Sequence, residues 1–116
     1  FLFYTIILFI NSLYYLSFMK LNSKQRKMLR ARAHQLKPSV IIGKTGLSDS
    51  VFRSIQDHLE AHELMKIKFN EHKGLKGEML SDINGAINSQ TVGVIGNIGI
   101  IYKQNPDIEK QIYKLD

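Results

Sequence analysis

Apolar positions along residues 19–103 recur at spacings that switch repeatedly between the helical and the extended period. Leu21, Met28, Leu29, Ala33 and Leu36 fall on one side of a predicted helix, which Ser23 caps. Pro38 stops it, because its ring removes a backbone donor and pushes Lys37 out of helical geometry. Val40-Ile41-Ile42, bounded by Pro38 and Gly43, reads as a short buried strand. A turn over Gly43–Gly46 follows. Ser48 is placed to cap a second helix, with Leu47 stapling against Phe52. Val51, Phe52, Ile55 and Leu59 carry that helix to about His62.

Leu64 to Phe69 then alternates. Leu64, Lys66 and Lys68 face one way and Met65, Ile67 and Phe69 the other, which predicts a half-exposed strand with two lysines on its open side. Glu71-His72-Lys73-Gly74 is a turn, and Met79, Leu80, Ile83, Ala86 and Ile87 form the inward stripe of a third helix. Thr91–Ile95 and Ile98–Tyr102 are two β-rich runs joined at Gly96-Asn97, the pattern of a hairpin. The segment after Pro106 is polar and is expected to be loosely held. The order α-β-α-β-α-β-β predicts one α+β domain, an open sheet with helices packed on it.

Phe1–Phe18 break this pattern, being uncharged and mostly apolar. Their few residue types are those that A/T-rich codons supply, and the chain opens on Phe. The expectation is that residues 1–18 are translated upstream sequence, that residues 19–103 are the functional domain starting at Met19, and that 104–116 form a C-terminal tail. The alternative is a membrane anchor, since the run just reaches spanning length and basic residues follow it. On that alternative the protein is a membrane-tethered or protein-interaction module. If translation starts at Met19, no membrane is involved.

Charge sharpens the picture. Net charge is +6, and the eight basic residues from Lys20 to Lys44 precede the first acid, Asp49. After it, eight basic residues face ten acidic ones. One end of the chain is therefore suited to a polyanion. With no cysteine, disulfides, thiolate metal sites and cysteine nucleophiles are excluded.

The strongest local signal is Gly43-Lys44-Thr45-Gly46, between a strand and a capped helix. Two glycines allow positive φ and close approach of backbone to ligand. Amides at the helix start and its dipole favour an anion, and Lys44 adds a mobile positive charge. KH domains clamp nucleic-acid backbone with such a G-x-x-G loop. Arg26, Lys27, Arg30 and Arg32 on the first helix, with Lys66 and Lys68 on the sheet, extend the basic track.

Other chemistries fit less well. A P-loop needs glycine where Pro38 stands. His58 and His62 have i, i+4 spacing, but Leu59 and Ala61 occupy the positions where zinc-protease patterns need glutamate. His62 is better read as favouring the helix dipole at a C-terminus. Asp57, Glu60 and Glu63 read as ordinary exposed helix residues, and Tyr102 and Phe69 as core before base-stacking surface. No catalytic constellation is present, so no enzyme, metal or cofactor is expected.

Three ordered segments, Leu36-Lys37-Pro38, Val40–Leu47 and Ala61–Lys68, together with Val94-Ile95-Gly96 and Ile100-Ile101-Tyr102, resemble the YhbY family of stand-alone CRM domains. The resemblance spans essentially residues 19–103. It implies a four-stranded mixed sheet with helices packed on it, like the C-terminal domain of translation initiation factor three. It further implies an RNA-binding factor that assembles the large ribosomal subunit. Separately, a monomer in the cytoplasm with no DNA partner is expected, since nothing in the sequence suggests an obligate dimer. Ribosomal RNA or a pre-ribosomal particle is the implied partner and Gly43–Gly46 the implied RNA loop. Asn97 and Lys103 depart from the basic residue and the arginine common at those places, which turns attention from the hairpin to the loop.

Overall fold

The computed structural model describes residues 20–115. The apolar stretch 1–18, and with it both readings of that stretch, lies outside the described residues. Among the described residues no helix is long and apolar enough to cross a membrane.

Helix α1 (Ser23–Ala33) leads into strand β1 (Val40–Ile42), helix α2 (Asp49–His62) and strand β2 (Leu64–Phe69). A 3-10 turn (Lys73–Leu75) opens helix α3 (Lys76–Ile87). Strands β3 (Gln90–Ile95) and β4 (Ile98–Tyr102) form the closing hairpin. The sheet order is β1-β2-β4-β3, with β1 parallel to β2 and the other pairs antiparallel. This is the mixed, four-stranded α+β architecture expected from the element order.

Alternation along β2 and β4 splits the core into two layers. Met65, Ile67, Phe69 and Ile101 pack with Ile55 and Leu59 of α2 and with Leu80, Ile83 and Ile87 of α3. Leu64, Ile100, Tyr102 and Val92 pack on the opposite face with Leu21, Leu29 and Ala33. Each such side chain contributes about 1.5–3 kcal/mol when fully buried. Gly99 lets α3 approach closely, since a Cβ there would lie 2.8 Å from Leu80.

Several expectations are corrected. Asn22, not Ser23, caps α1: its side chain accepts from the Gln25 amide while the Gln25 side chain accepts from the Asn22 amide, a complete capping box. The helix ends at Ala33 rather than near Leu36, and the chain turns at His34 before Pro38 has any say. β1 is an edge strand, so Ile41 is exposed where a buried run was expected. Ala86 faces solvent rather than the core.

The largest correction concerns the tail. Glu63, expected on the helix surface, is fully buried at the end of α2 with φ +64°. Its carboxylate accepts from the backbone amides of Asn105 (2.6 Å), Ile112 (2.6 Å) and Tyr113 (3.2 Å). Its own carbonyl accepts from Lys103. Tyr113 and Leu115 then pack on the α1-side core. Residues 104–115 are thus clasped to the domain rather than loose. A buried carboxylate is tolerable only when such donors replace its water.

Candidate nucleic-acid interface

The loop Gly43–Gly46 sits where β1 ends and α2 begins. The Gly46 amide donates to the Gly43 carbonyl at 3.1 Å, closing the turn, and Lys44 and Thr45 project from its exposed tip. Only one of the two glycines has the expected left-handed backbone. Gly46 has φ +66°, a conformation that costs a non-glycine residue about 1–2 kcal/mol. Gly43 does not, and the space beside its Cα is empty, so its missing side chain serves access rather than geometry.

The helix start is less open than its sequence implies. Ser48 caps α2 by accepting from the Val51 amide at 3.3 Å, worth about 1 kcal/mol. Asp49 places a carboxylate in the first turn, where it already complements the helix dipole. The loop and Lys44, more than the helix terminus, are therefore the attractive feature for an incoming anion.

The segment after β2 brackets this loop. His72 Nε2 lies 3.0 Å from the Lys44 carbonyl, so the ring nitrogen carries the hydrogen and donates. The same nitrogen, with Met79, lies within ordinary contact distance of the place where a Gly46 Cβ would be. Four residues on, Lys76 donates to the Gly96 carbonyl at 2.6 Å, fixing the hairpin turn. Phe69 donates to Asn97 at the same end of the sheet. Loop, bracket and hairpin turn form one rim.

The remaining basic residues divide between duties. Lys66 is drawn back to the turn after α1, donating to the Leu36 carbonyl at 2.9 Å. Arg26 and Arg30 each give a guanidinium hydrogen to a backbone carbonyl, Leu21 and Val92 respectively. Lys27, Arg32 and Lys68 are exposed. Lys68 lies on the part of the sheet face that α1 leaves uncovered, whereas Arg26, Lys27, Arg30 and Arg32 lie in the layer covering the rest. The structure brings Lys44, Thr45 and the two glycines together and sets the helix residues apart from them.

Phe69 and Tyr102 are core residues, as expected. The Tyr102 hydroxyl is buried with no hydrogen-bond partner among the described residues. Burial, then nearby Glu63 and Tyr113, push its ionisation far above the usual tyrosine range. His58 and His62 stack with ring centroids 4.4 Å apart, and His58 pairs with Ser39 at 3.0 Å. Burial and the neighbouring His62 hold His58 below the usual histidine range. Among the described residues no group of three or more potential ligands is placed to hold a metal.

Sequence reasoning missed His72, Lys76 and Glu63. For His72 a weak signal existed, a ring-bearing residue inside a polar turn that glycine or asparagine would suit better. For Glu63 there was none, since its partners lie 42 to 50 residues away.

The sequence profile of the CRS1 / YhbY (CRM) domain matches residues 21–103. Probable RNA-binding protein YqeI of Bacillus subtilis is 34% identical over 93 residues, covering 79% of this chain and 96% of that protein. The RNA-binding protein of Haemophilus influenzae is 30% identical over 93 residues, 79% of this chain and 94% of that one. The solution structure of the hypothetical protein SAV1595 from Staphylococcus aureus superposes with a TM-score of 0.68 at 30% identity, covering 82% of this chain and 100% of its own. Profile, relatives and fold agree, and the chain belongs to the CRS1 / YhbY (CRM) domain family.

Proposed function

We propose that this protein binds RNA, holding phosphates at the Gly43–Gly46 loop, and that its target is large-subunit ribosomal RNA during subunit assembly in the cytoplasm. The observation that carries the reading is the loop itself: an exposed, glycine-bounded tip with Lys44 on it, pinned from behind by His72. A rigid loop presents backbone and charge to a phosphate without ordering cost. The names of the similar proteins from B. subtilis and H. influenzae support RNA as the ligand class. The family resemblance supports the ribosomal target. The role is binding, not bond-making.

Lys44, with Lys68, Lys27 and Arg32 as secondary contacts, supplies sequence-independent attraction. Phosphate contacts position an RNA without reading its bases. If five or six phosphates are neutralised, the log–log dependence of affinity on salt has a slope of roughly −4 to −5. Crosslinking in cells, followed by sequencing of the recovered RNA, tests the assignment. The parent protein is expected to enrich large-subunit ribosomal RNA, and a Gly43→Asp, Gly46→Asp variant to lose it. Recovery of no RNA above background by the parent refutes the reading.

A further inference from the structure

The face of the sheet under α1 is covered unevenly. Tyr102, Leu64 and Gln90 form one cross-strand row and lie beneath the helix. Ile100, Lys66 and Gly93 form the next, with the Arg30 side chain lying over Gly93 and Lys66 tied to Leu36. Beyond them the helix layer stops. The third row runs Ile41, Lys68, Ile98, Ile95, each paired in register with the next across all four strands. Ile41 is 56% exposed and Ile95 63%, with Ile98 half-buried between them and Lys68 exposed. Residues paired across neighbouring strands point to the same face, so this row is a flat aliphatic shelf with one cation in its middle.

The shelf adjoins the rim. Ile41 is two residues from Gly43, and Ile95 and Ile98 flank the hairpin turn that Lys76 fixes. We infer that this row is a seat for unpaired nucleobases of the same RNA strand whose phosphates the 43–46 loop holds, which makes the protein a reader of single-stranded RNA. The inference rests on the RNA-binding reading above. Base faces are apolar and favour flat apolar surfaces, while a strand crossing the shelf keeps its phosphates near Lys44 and Lys68. In a duplex those faces are stacked inside the helix and have nothing to offer the row. A protein occupant is a poorer match. Three isoleucines interrupted by a lysine fall well short of the roughly 800 Å² per partner of a stable protein interface, and the cation suits a polyanion.

The test uses the full chain and a single-stranded RNA of about ten nucleotides, offered as such, as a duplex with its complement, and with single abasic sites moved along it. The parent is expected to prefer the single strand to the duplex and to lose roughly fivefold to tenfold in affinity at two or three adjacent abasic positions. An Ile41→Ser, Ile95→Ser variant, altered only at exposed positions and therefore folded, is expected to lose that preference and become indifferent to abasic sites. Its salt slope should stay that of the parent. Lys68→Ala should do the reverse, lowering the slope by about one and keeping the abasic sensitivity. If the parent binds RNA but ignores abasic sites, or the serine variant keeps the parent's discrimination, the base seat is overturned while RNA binding stands. If the parent binds no form of the RNA, the wider reading falls with it.

Discussion

At the C-terminal end of α2, three backbone amides converge on the carboxylate of Glu63, a negative group that the protein supplies itself and buries completely. At the N-terminal end the 43–46 loop instead exposes Lys44 and Thr45, and Gly43 leaves clear space beside the backbone. One end accepts from the tail's amides with its own carboxylate and so fastens the tail. The other leaves backbone and charge facing outward, and on the reading proposed above its anion arrives with the RNA. Both ends contain a residue at positive φ, Glu63 and Gly46. Positive φ serves clasping in one case and a turn that presents Lys44 in the other, at a steric cost for Glu63 that glycine avoids at position 46. Similar φ values therefore carry different meanings according to what surrounds them.

The comparison breaks most forcefully at Glu63. Glu63→Gln puts an amide group where three donors converge and removes the charge that holds them. We expect a loss of about 3 kcal/mol in urea unfolding, with hydrogen exchange of the Asn105, Ile112 and Tyr113 amides accelerating. Unchanged exchange there would show that the carboxylate is incidental. At the other end, Gly46→Asp is expected to lower RNA affinity more than tenfold, combining about 1–2 kcal/mol of backbone strain with a misplaced negative charge. Gly43→Ala, at ordinary φ and with empty space around it, should leave thermal stability unchanged.

Smaller effects sharpen the contrast. Lys44→Ala should weaken all RNAs about equally and reduce the salt slope by about one, read by titration at several salt concentrations. His72→Phe keeps bulk behind Gly46 but removes the donor to the Lys44 carbonyl, whereas His72→Gln keeps a donor of similar reach. A several-fold loss of affinity with Phe that Gln restores would identify the hydrogen bond, rather than packing, as what sets the loop. Smallest of all, Tyr102→Phe deletes a buried hydroxyl that has no partner among the described residues. It is expected to be neutral or to raise stability by up to about 1 kcal/mol, measured in the same urea series.

The fold was largely legible from period alone. Alternation in Leu64–Phe69 located the central strand residue for residue, and the helical stripe through Ile55 and Leu59 placed α2 on it. Edge position was not legible, because Val40-Ile41-Ile42 looks the same whether a neighbour covers Ile41 or not. The loop was found because glycine, lysine and a following cap are local signals. What held the loop and the tail was not, because His72 and Glu63 act over 28 and 42 residues or more and no spacing rule reaches that far. Lys66 and Lys68 alternate identically in sequence. Only the place where α1 ends separates the one that ties down a turn from the one that stays exposed.

The clasp at Glu63 also bears on how portable this domain is. The family profile ends at Lys103, yet a chain cut there would keep the carboxylate and discard every amide that answers it from the tail. Such a shortened protein would have to flood that corner with water or protonate the acid to stay folded. Fusions and tandem arrangements should therefore carry residues 104–115 as part of the unit, with any added partner joined beyond Leu115 rather than at the edge of the sheet.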